Sequence, residues 1–239
     1  MKKPAFVNNE VYHVYNRGVE KRLIFGDDKD RFRFIHDLYE FNDLLPILPS
    51  NVRLGLRNPA LCLGVELPNI ERKNKRELLV EILAFCLMPN HYHLLLRQIR
   101  DGGIIKFMQK LGTGYTNYFN LKNERVGPLF QGRFKAILVE KEEYFRHLYN
   151  YIHVNPLDLV VPEWRENKLN DHKKALEFLG SYRWSSYLDY KGEKNFPSVI
   201  SKKLGTEILG NEQTYNKDLN EWLSDIQKFG EEIAQLSLE

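Results

Sequence analysis

The residues best suited to chemistry in this chain are two histidines that flank one tyrosine, His91-Tyr92-His93, directly after the turn at 88–90. The apolar run 94–96 follows, and it predicts a β-strand. Side chains two apart share a face of a strand, so both imidazoles point one way and Tyr92 the other. Two neutral imidazoles on one face can bind a divalent metal ion and leave positions open for a substrate oxygen. Two buried core histidines would produce the same pattern, and the pair alone does not separate these interpretations.

A second candidate group lies in the segment 141–156, where apolar residues recur at helical spacing and no proline occurs before Pro156. Tyr151 and Asn155 are four residues apart and share a face of the predicted helix. The tyrosine hydroxyl is a candidate nucleophile, and the amide oxygen is a candidate third metal ligand. Alternatively, Tyr151 is a core residue and Asn155 only ends the helix, since proline disfavours helical geometry at the preceding residue. His147, one turn before Tyr151, is placed as a general base would be, although we interpret it as structural.

A cationic face is predicted on the strand that begins at Gln131. In an extended strand Gln131, Arg133 and Lys135 share one face, which suits contact with phosphates. Phe130, just before it, is a candidate for stacking on an unpaired base. An ordinary amphipathic edge strand has the same pattern. Arg17, after the first predicted strand, is a similar candidate for DNA contact.

The elements that must position these residues form an alternating series. Strands are predicted at 11–16, 78–88, 91–97 and 131–139, and helices at 28–41, 104–121 and 141–155. This order predicts an α+β fold in which one antiparallel sheet carries helices on one face. The apolar stripes assign Phe32 and Tyr39 to the buried side of the first helix, and Ile105 to that of the second.

We expect a catalytic domain at about 1–165, with an insertion at about 43–78, and a helical C-terminal appendage at about 166–239. The last helix, predicted at 216–236, carries an apolar stripe that we expect to dock onto the catalytic domain: Leu219, Trp222, Leu223 and Ile226.

Composition limits the class of protein without identifying it. The 239 residues are 43% hydrophobic and 13% aromatic, which predicts a folded globule, and the net charge of +3 does not by itself require nucleic acid. The two cysteines, Cys62 and Cys86, are too few for a disulfide framework and suit a reducing compartment. The longest apolar run is too short to span a bilayer, and no secretory signal begins the chain. A soluble, cytoplasmic protein is therefore expected.

Five motifs, in this order, resemble those of REP-associated tyrosine transposases, a group of single-tyrosine HUH transposases in the IS200-like superfamily. They are YHVYNRG at 12–18, MPNHYHLLL at 88–96, GPLFQGRFK at 127–135, YNYIHVNP at 149–156 and YRWSSY at 182–187. The resemblance covers about 10–45 and 79–190. It implies a ferredoxin-like antiparallel sheet, with the HUH strand central and the tyrosine helix beside it.

The resemblance also implies an activity: a metal-dependent transposase or endonuclease that cleaves and rejoins single-stranded DNA at hairpin, REP-like palindromic elements through a 5′-phosphotyrosine. Matched residue by residue, the nucleophile falls on Tyr151 and the ligands for Mg²⁺ or Mn²⁺ fall on His91, His93 and Asn155. Arg17 is placed near the DNA. Relatives act as a monomer or as a homodimer. Two features depart from the family pattern: the insertion at about 43–78 and a neutral Asn as third ligand.

Two other functions stay open at this point. One is a non-catalytic nucleic-acid-binding protein on the same scaffold, although the four family residues are intact. The other is an unrelated His-x-His metallohydrolase that uses water; it needs further ligands, and no HxxxD or HExxH pattern occurs near the pair. A covalent DNA adduct would exclude both.

Overall fold

The computed structural model describes residues 4–45, 76–166, 169 and 171–224. In chain order the strands and helices are β1 Val11–Arg17, α1 Asp28–Glu40, β2 Val80–Met88, β3 His91–Gln98, α2 Gly103–Lys122, β4 Lys135–Leu138, α3 Glu142–Val154, α4 His172–Ser181, α5 Tyr187–Lys191, α6 Lys202–Leu209 and α7 Glu212–Ser224. Short 3₁₀ turns lie at Val19–Lys21, Asn155–Leu159 and Pro162–Glu166.

The strands form one antiparallel sheet in the order β2-β3-β1-β4. A β-α-β-β-α-β chain with this strand order is ferredoxin-like, so the predicted fold class is confirmed. β2 and β3 form the predicted hairpin through the Pro89-Asn90 turn. The histidine strand β3 is central, and in its register with β1 Tyr15 lies opposite His93 and Arg17 opposite His91.

Helices cover both faces of the sheet, so the expectation of helices on one face was wrong. One face packs against α1 and α2 through residues such as Val14 and Leu94. The other packs against α3 and the C-terminal helices through residues such as Leu83 and Leu95. The physical reason lies in the strands: Leu94, Leu95 and Leu96 are all fully buried, so neither face of the sheet is left to solvent.

Three apolar residues predicted on the buried sides of α1 and α2 are exposed in the structure. In α1 Phe34 is fully buried, whereas Phe32 is 45% exposed and packs edge-on against Trp184. Tyr39 is 36% exposed. In α2 Ile104 is buried and Ile105 is 53% exposed. Adjacent apolar residues leave the phase of a helix undecided, and only the partner surface selects which of them turns inward.

The predicted strand at 131–139 is shorter in the structure, because β4 begins at Lys135. Gly132 has φ of 85°, a left-handed conformation that interrupts an extended strand and suits glycine. Residues 131 and 133 therefore do not alternate with Lys135 as a regular strand would require.

The C-terminal helices share a core with α3. The Trp222 indole in α7 donates a hydrogen bond to His147 Nδ1 at 2.7 Å. The YRWSSY segment runs beside β2, where the Leu87 amide donates to the Trp184 carbonyl. The docking of Leu219, Trp222 and Leu223 is thus confirmed; α7 begins at Glu212, earlier than predicted.

Ile226 and most of the insertion at 43–78 lie outside the described residues, and the domain division near residue 165 stays a prediction. Within the described residues, no helix combines the length and apolarity needed to cross a membrane.

Candidate active site

The histidine pair lies near the beginning of β3, on the sheet face that packs against α3. The rings of His91 and His93 have centroids 5.1 Å apart and are nearly perpendicular, at 86°. Tyr92 points to the opposite face, where it is buried against Phe34 with ring centroids 5.0 Å apart. The alternation predicted from the sequence is therefore present.

A third histidine, which the sequence reasoning missed, supports the pair. His13 on β1 is fully buried, and its Nε2 lies 2.8 Å from His93 Nδ1. The two rings are stacked, 14° from parallel, and Tyr15 stacks on the other two at centroid distances of 5.0 Å to His13 and 6.0 Å to His93. His13 contacts Nδ1 of His93, so Nε2 is the ring nitrogen of His93 that could coordinate a ligand. Its place in YHVYNRG was the available signal, but that motif does not reveal its partner.

The helix α3 brings Tyr151 and Asn155 to the same place. The fully buried ring of Tyr151 meets His93 edge-on, with centroids 5.7 Å apart at 88°. Asn155 forms the C-terminal end of α3, where its backbone N–H donates to the Tyr151 carbonyl. Its side chain is fully buried and lies against His91, and neither amide atom has a hydrogen bond of standard geometry. The four residues, from two segments about sixty residues apart, form one cluster.

This cluster fits a divalent metal ion. A buried amide whose polar atoms lack regular hydrogen bonds is costly, and coordination by its oxygen would remove that cost. Together with two imidazoles it provides three protein ligands of a kind that divalent metals accept. No group of three or more His, Cys, Asp or Glu side chains suited to a metal occurs among residues 4–45, 76–166, 169 and 171–224. The candidate set thus depends on the Asn.

The histidines of the cluster are held neutral. Burial lowers the pKa of His91 to about 4, although contact with Asn155 acts in the opposite direction. Burial, followed by the influence of His91, lowers the pKa of His93 well below its usual value. At pH 7 both rings therefore have a lone pair available for a ligand.

One cation lies directly on the tyrosine. Arg165, in the second 3₁₀ turn after α3, donates from Nη1 to the Tyr151 hydroxyl oxygen at 3.1 Å. Asp158 accepts from Arg165 Nε at 2.9 Å and from Nη2 at 2.7 Å. The Trp164 indole donates to the same carboxylate at 2.6 Å. The sequence reasoning did not single out Arg165.

His147 is buried against Trp222 of α7. It is buried, its Nδ1 accepts from the Trp222 indole, and its ring packs on that indole with centroids 5.1 Å apart. Burial lowers its pKa to about 4. Its interpretation as structural rather than as a base for Tyr151 agrees with this position.

Three of the residues predicted to contact DNA lie beside His91, at the edge of the candidate metal site. Arg17, Gln131 and Lys135 line one crevice together with His91. Arg17 donates to the Gln131 side chain at 3.3 Å, and the Lys135 ammonium lies 5.5 Å from the centre of the Tyr15 ring. The crevice therefore has a cationic rim directly beside the histidine strand.

The other two predicted DNA contacts lie elsewhere. Phe130 is only 8% exposed and packs edge-on against Tyr92, so the expectation of a ring free to stack on a base was wrong. Arg133 is exposed but lines a separate groove against α2. The predicted face shared by Gln131, Arg133 and Lys135 is absent because the chain turns at Gly132.

The region that contains the cluster also has a family match. Residues 63–155 match the model of the IS200-like transposase family. The matched segment is similar to the IS200-like transposases. It spans less than half of the chain, yet it contains His91, His93, Tyr151 and Asn155. His13 precedes the transposase segment and Arg165 follows it, so the match assigns neither.

Among solved structures, the chain is similar to that of a REP-associated tyrosine transposase bound to a REP hairpin. The identity is 10% and the TM-score 0.44, over 84% of this chain and 90% of that one. No curated protein shows significant similarity to this chain.

Proposed function

We propose that this protein is an IS200-like transposase, a divalent-metal-dependent enzyme that cleaves and rejoins single-stranded DNA at hairpin elements, with Tyr151 as nucleophile. The observation that carries the proposal is the meeting of β3 and α3, which puts a tyrosine, two neutral imidazoles and a buried amide side by side. The hairpin substrate rests on the resemblance of the five motifs to REP-associated transposases.

The Tyr151 hydroxyl would perform the chemistry. The hydroxyl loses its proton to water as its oxygen attacks a DNA phosphorus. The bond from phosphorus to the 3′ oxygen breaks, and that oxygen leaves as a 3′-hydroxyl after taking up a proton from water. The new 5′-phosphotyrosine conserves the energy of the phosphodiester. A DNA 3′-hydroxyl can therefore attack it later, release the tyrosine and join a new strand.

His91, His93 and Asn155 would hold Mg²⁺ or Mn²⁺. When bound, the ion would withdraw charge from a non-bridging phosphate oxygen and stabilise the crowded transition state. His93 Nδ1 would donate a hydrogen bond to His13 Nε2. This contact would keep His93 in the tautomer whose Nε2 lone pair faces the ligand.

The crevice rim would guide the strand. Arg17 and Lys135 are cations that line the crevice together with His91 and can neutralise phosphates next to the scissile one. Base-independent contacts of this kind position the backbone and leave recognition of the hairpin to other surfaces.

One observation favours the alternative of a non-catalytic DNA-binding protein: Tyr151 is fully buried, with its oxygen bonded to Arg165. For catalysis, a scissile phosphate must gain access to that oxygen. Tight hairpin binding without adduct formation would establish the alternative.

The deciding experiment is a denaturing gel of the protein mixed with labelled single-stranded hairpin DNA taken from beside its own gene, with Mg²⁺ or Mn²⁺. A covalent band is expected that disappears with EDTA and in Tyr151→Phe. Tyr144→Phe, on the same helix, is the matched control and should keep the band. A band that survives Tyr151→Phe would assign the nucleophile to another tyrosine.

A further inference from the structure

The Tyr151 hydroxyl contacts a cation, which packing of a buried tyrosine does not require. A buried tyrosine needs only an acceptor for its own O–H proton. Here the oxygen accepts a hydrogen bond from the Arg165 guanidinium, whose centre lies 5.1 Å from the phenol ring and 4.8 Å from the Trp164 ring. Arginine only donates, so the tyrosine oxygen is the acceptor and its own proton points elsewhere.

The guanidinium is itself fixed. Asp158 accepts two parallel hydrogen bonds from it, the planar fork geometry that restricts arginine most. Trp164, fully buried, fixes the carboxylate in turn. Asp158 and Arg165 lie on successive 3₁₀ turns directly after α3, so the same short segment that follows the tyrosine helix returns a cation to its hydroxyl.

We propose that Arg165 is a catalytic residue of the transposase reaction: it holds the Tyr151 oxygen in place and stabilises the negative charge that forms there during attack on DNA. The inference rests on the proposed function. A hydrogen bond from a cation strengthens as its acceptor gains negative charge, so this contact is stronger in the transition state than in the resting enzyme. The charge of Arg165 also contributes, after burial, to the lowered pKa of His91 and of His93.

The test is the rate of covalent adduct formation in a single turnover with saturating hairpin DNA and Mn²⁺, beside the Kd for the same hairpin. Removal of one fixed donor from a reacting oxygen typically costs about 10²-fold or more in rate. We expect Arg165→Gln to slow adduct formation about 10²-fold while Kd stays within about twofold. Arg165→Lys keeps the cation but loses the fork to Asp158, and should recover part of the rate.

A chemical rescue separates catalysis from structure. Arg165→Ala should regain adduct formation when guanidinium chloride is added at low millimolar concentration, but not with the same concentration of sodium chloride. Arg146→Gln is the matched control, because Arg146 lies on α3 in an exposed ion pair with Glu142. Its rate should equal that of the wild type.

The possible results are distinct. Equal rates in wild type and Arg165→Gln would overturn the inference. So would a weakened Kd with an unchanged rate at saturation, which would make Arg165 a DNA-binding residue, or a slowed variant that neither lysine nor guanidinium restores, which would make it structural. If the wild type itself forms no adduct, the proposed function fails first, and the role of Arg165 fails with it.

Discussion

Replacement of His13 by phenylalanine tests the proposed metal site without touching a ligand. His13 is fully buried and stacks on His93, so a phenyl ring retains the volume and the stacking. What disappears is the 2.8 Å hydrogen bond to His93 Nδ1, which we propose fixes the tautomer of that ring.

Loss of this hydrogen bond should affect both the metal affinity and the folding stability. Loss of a partner that orients a metal ligand typically costs about 10–100-fold in metal affinity, which corresponds to about 1.4–2.7 kcal/mol. Loss of a buried hydrogen bond costs folding about 1 kcal/mol. However, His13 Nδ1 is buried without a hydrogen bond, and its removal offsets part of that cost. We therefore expect the free energy of unfolding in EDTA to change by less than about 1 kcal/mol, while the Kd for Mn²⁺ rises 10–100-fold.

Calorimetric titration with Mn²⁺ measures the Kd for the ion, and urea unfolding in EDTA measures the free energy of unfolding. His36→Phe is the matched control, because His36 is exposed on α1 and should change neither. A folded His13→Phe that binds Mn²⁺ within twofold of the wild type would refute the reasoning, since His93 would then not need His13 to present Nε2.

Three further predictions concern stability and DNA binding. Burial lowers the pKa of His153, whose ring nitrogens contact Tyr215 and Ser186, to about 3. The unfolded chain then binds more protons below about pH 6.5, so stability falls as pH drops, by about 2 kcal/mol from this residue at pH 5. Urea unfolding at pH 7 and pH 5 should show that loss, and His153→Gln should lessen it; an unchanged pH dependence would contradict the assignment. Arg17→Ala and Lys135→Ala should each weaken hairpin binding and reduce its salt dependence by about one unit of slope, as measured by fluorescence anisotropy at several salt concentrations; unchanged slopes would remove the crevice rim from the DNA interface. Trp222→Ala should cost about 3–5 kcal/mol of unfolding free energy, because it empties core between α7 and α3; a loss below 1 kcal/mol in chemical denaturation would mean that the C-terminal helices are dispensable for the fold.

Local patterns in the sequence were sufficient for the elements and for part of the site. The alternation at 91–97 predicted a strand with both histidines on one face, and the spacing of Tyr151 and Asn155 predicted a shared helix face; both statements need only neighbours along the chain. The order of elements, with the resemblance of the motifs, also predicted the ferredoxin-like sheet with β3 at its centre.

Other features depended on partners that the chain brings together only when it folds. Ile104 and Ile105 are adjacent and of the same type in the sequence, but only Ile104 is buried in the folded protein. Phe130, which we expected to stack on an unpaired base, is buried because its ring packs against Tyr92.

The same limit applies within the site. His13 meets His93 across eighty residues, and Arg165 reaches Tyr151 only because two 3₁₀ turns fold back over the end of α3. By itself the sequence determined which residues share a strand face or a helix face, because that depends on backbone periodicity alone. Only the tertiary structure decided which buried histidine orients the pair and which cation contacts the tyrosine, because hydrogen bonds between distant segments leave no periodic trace in the chain.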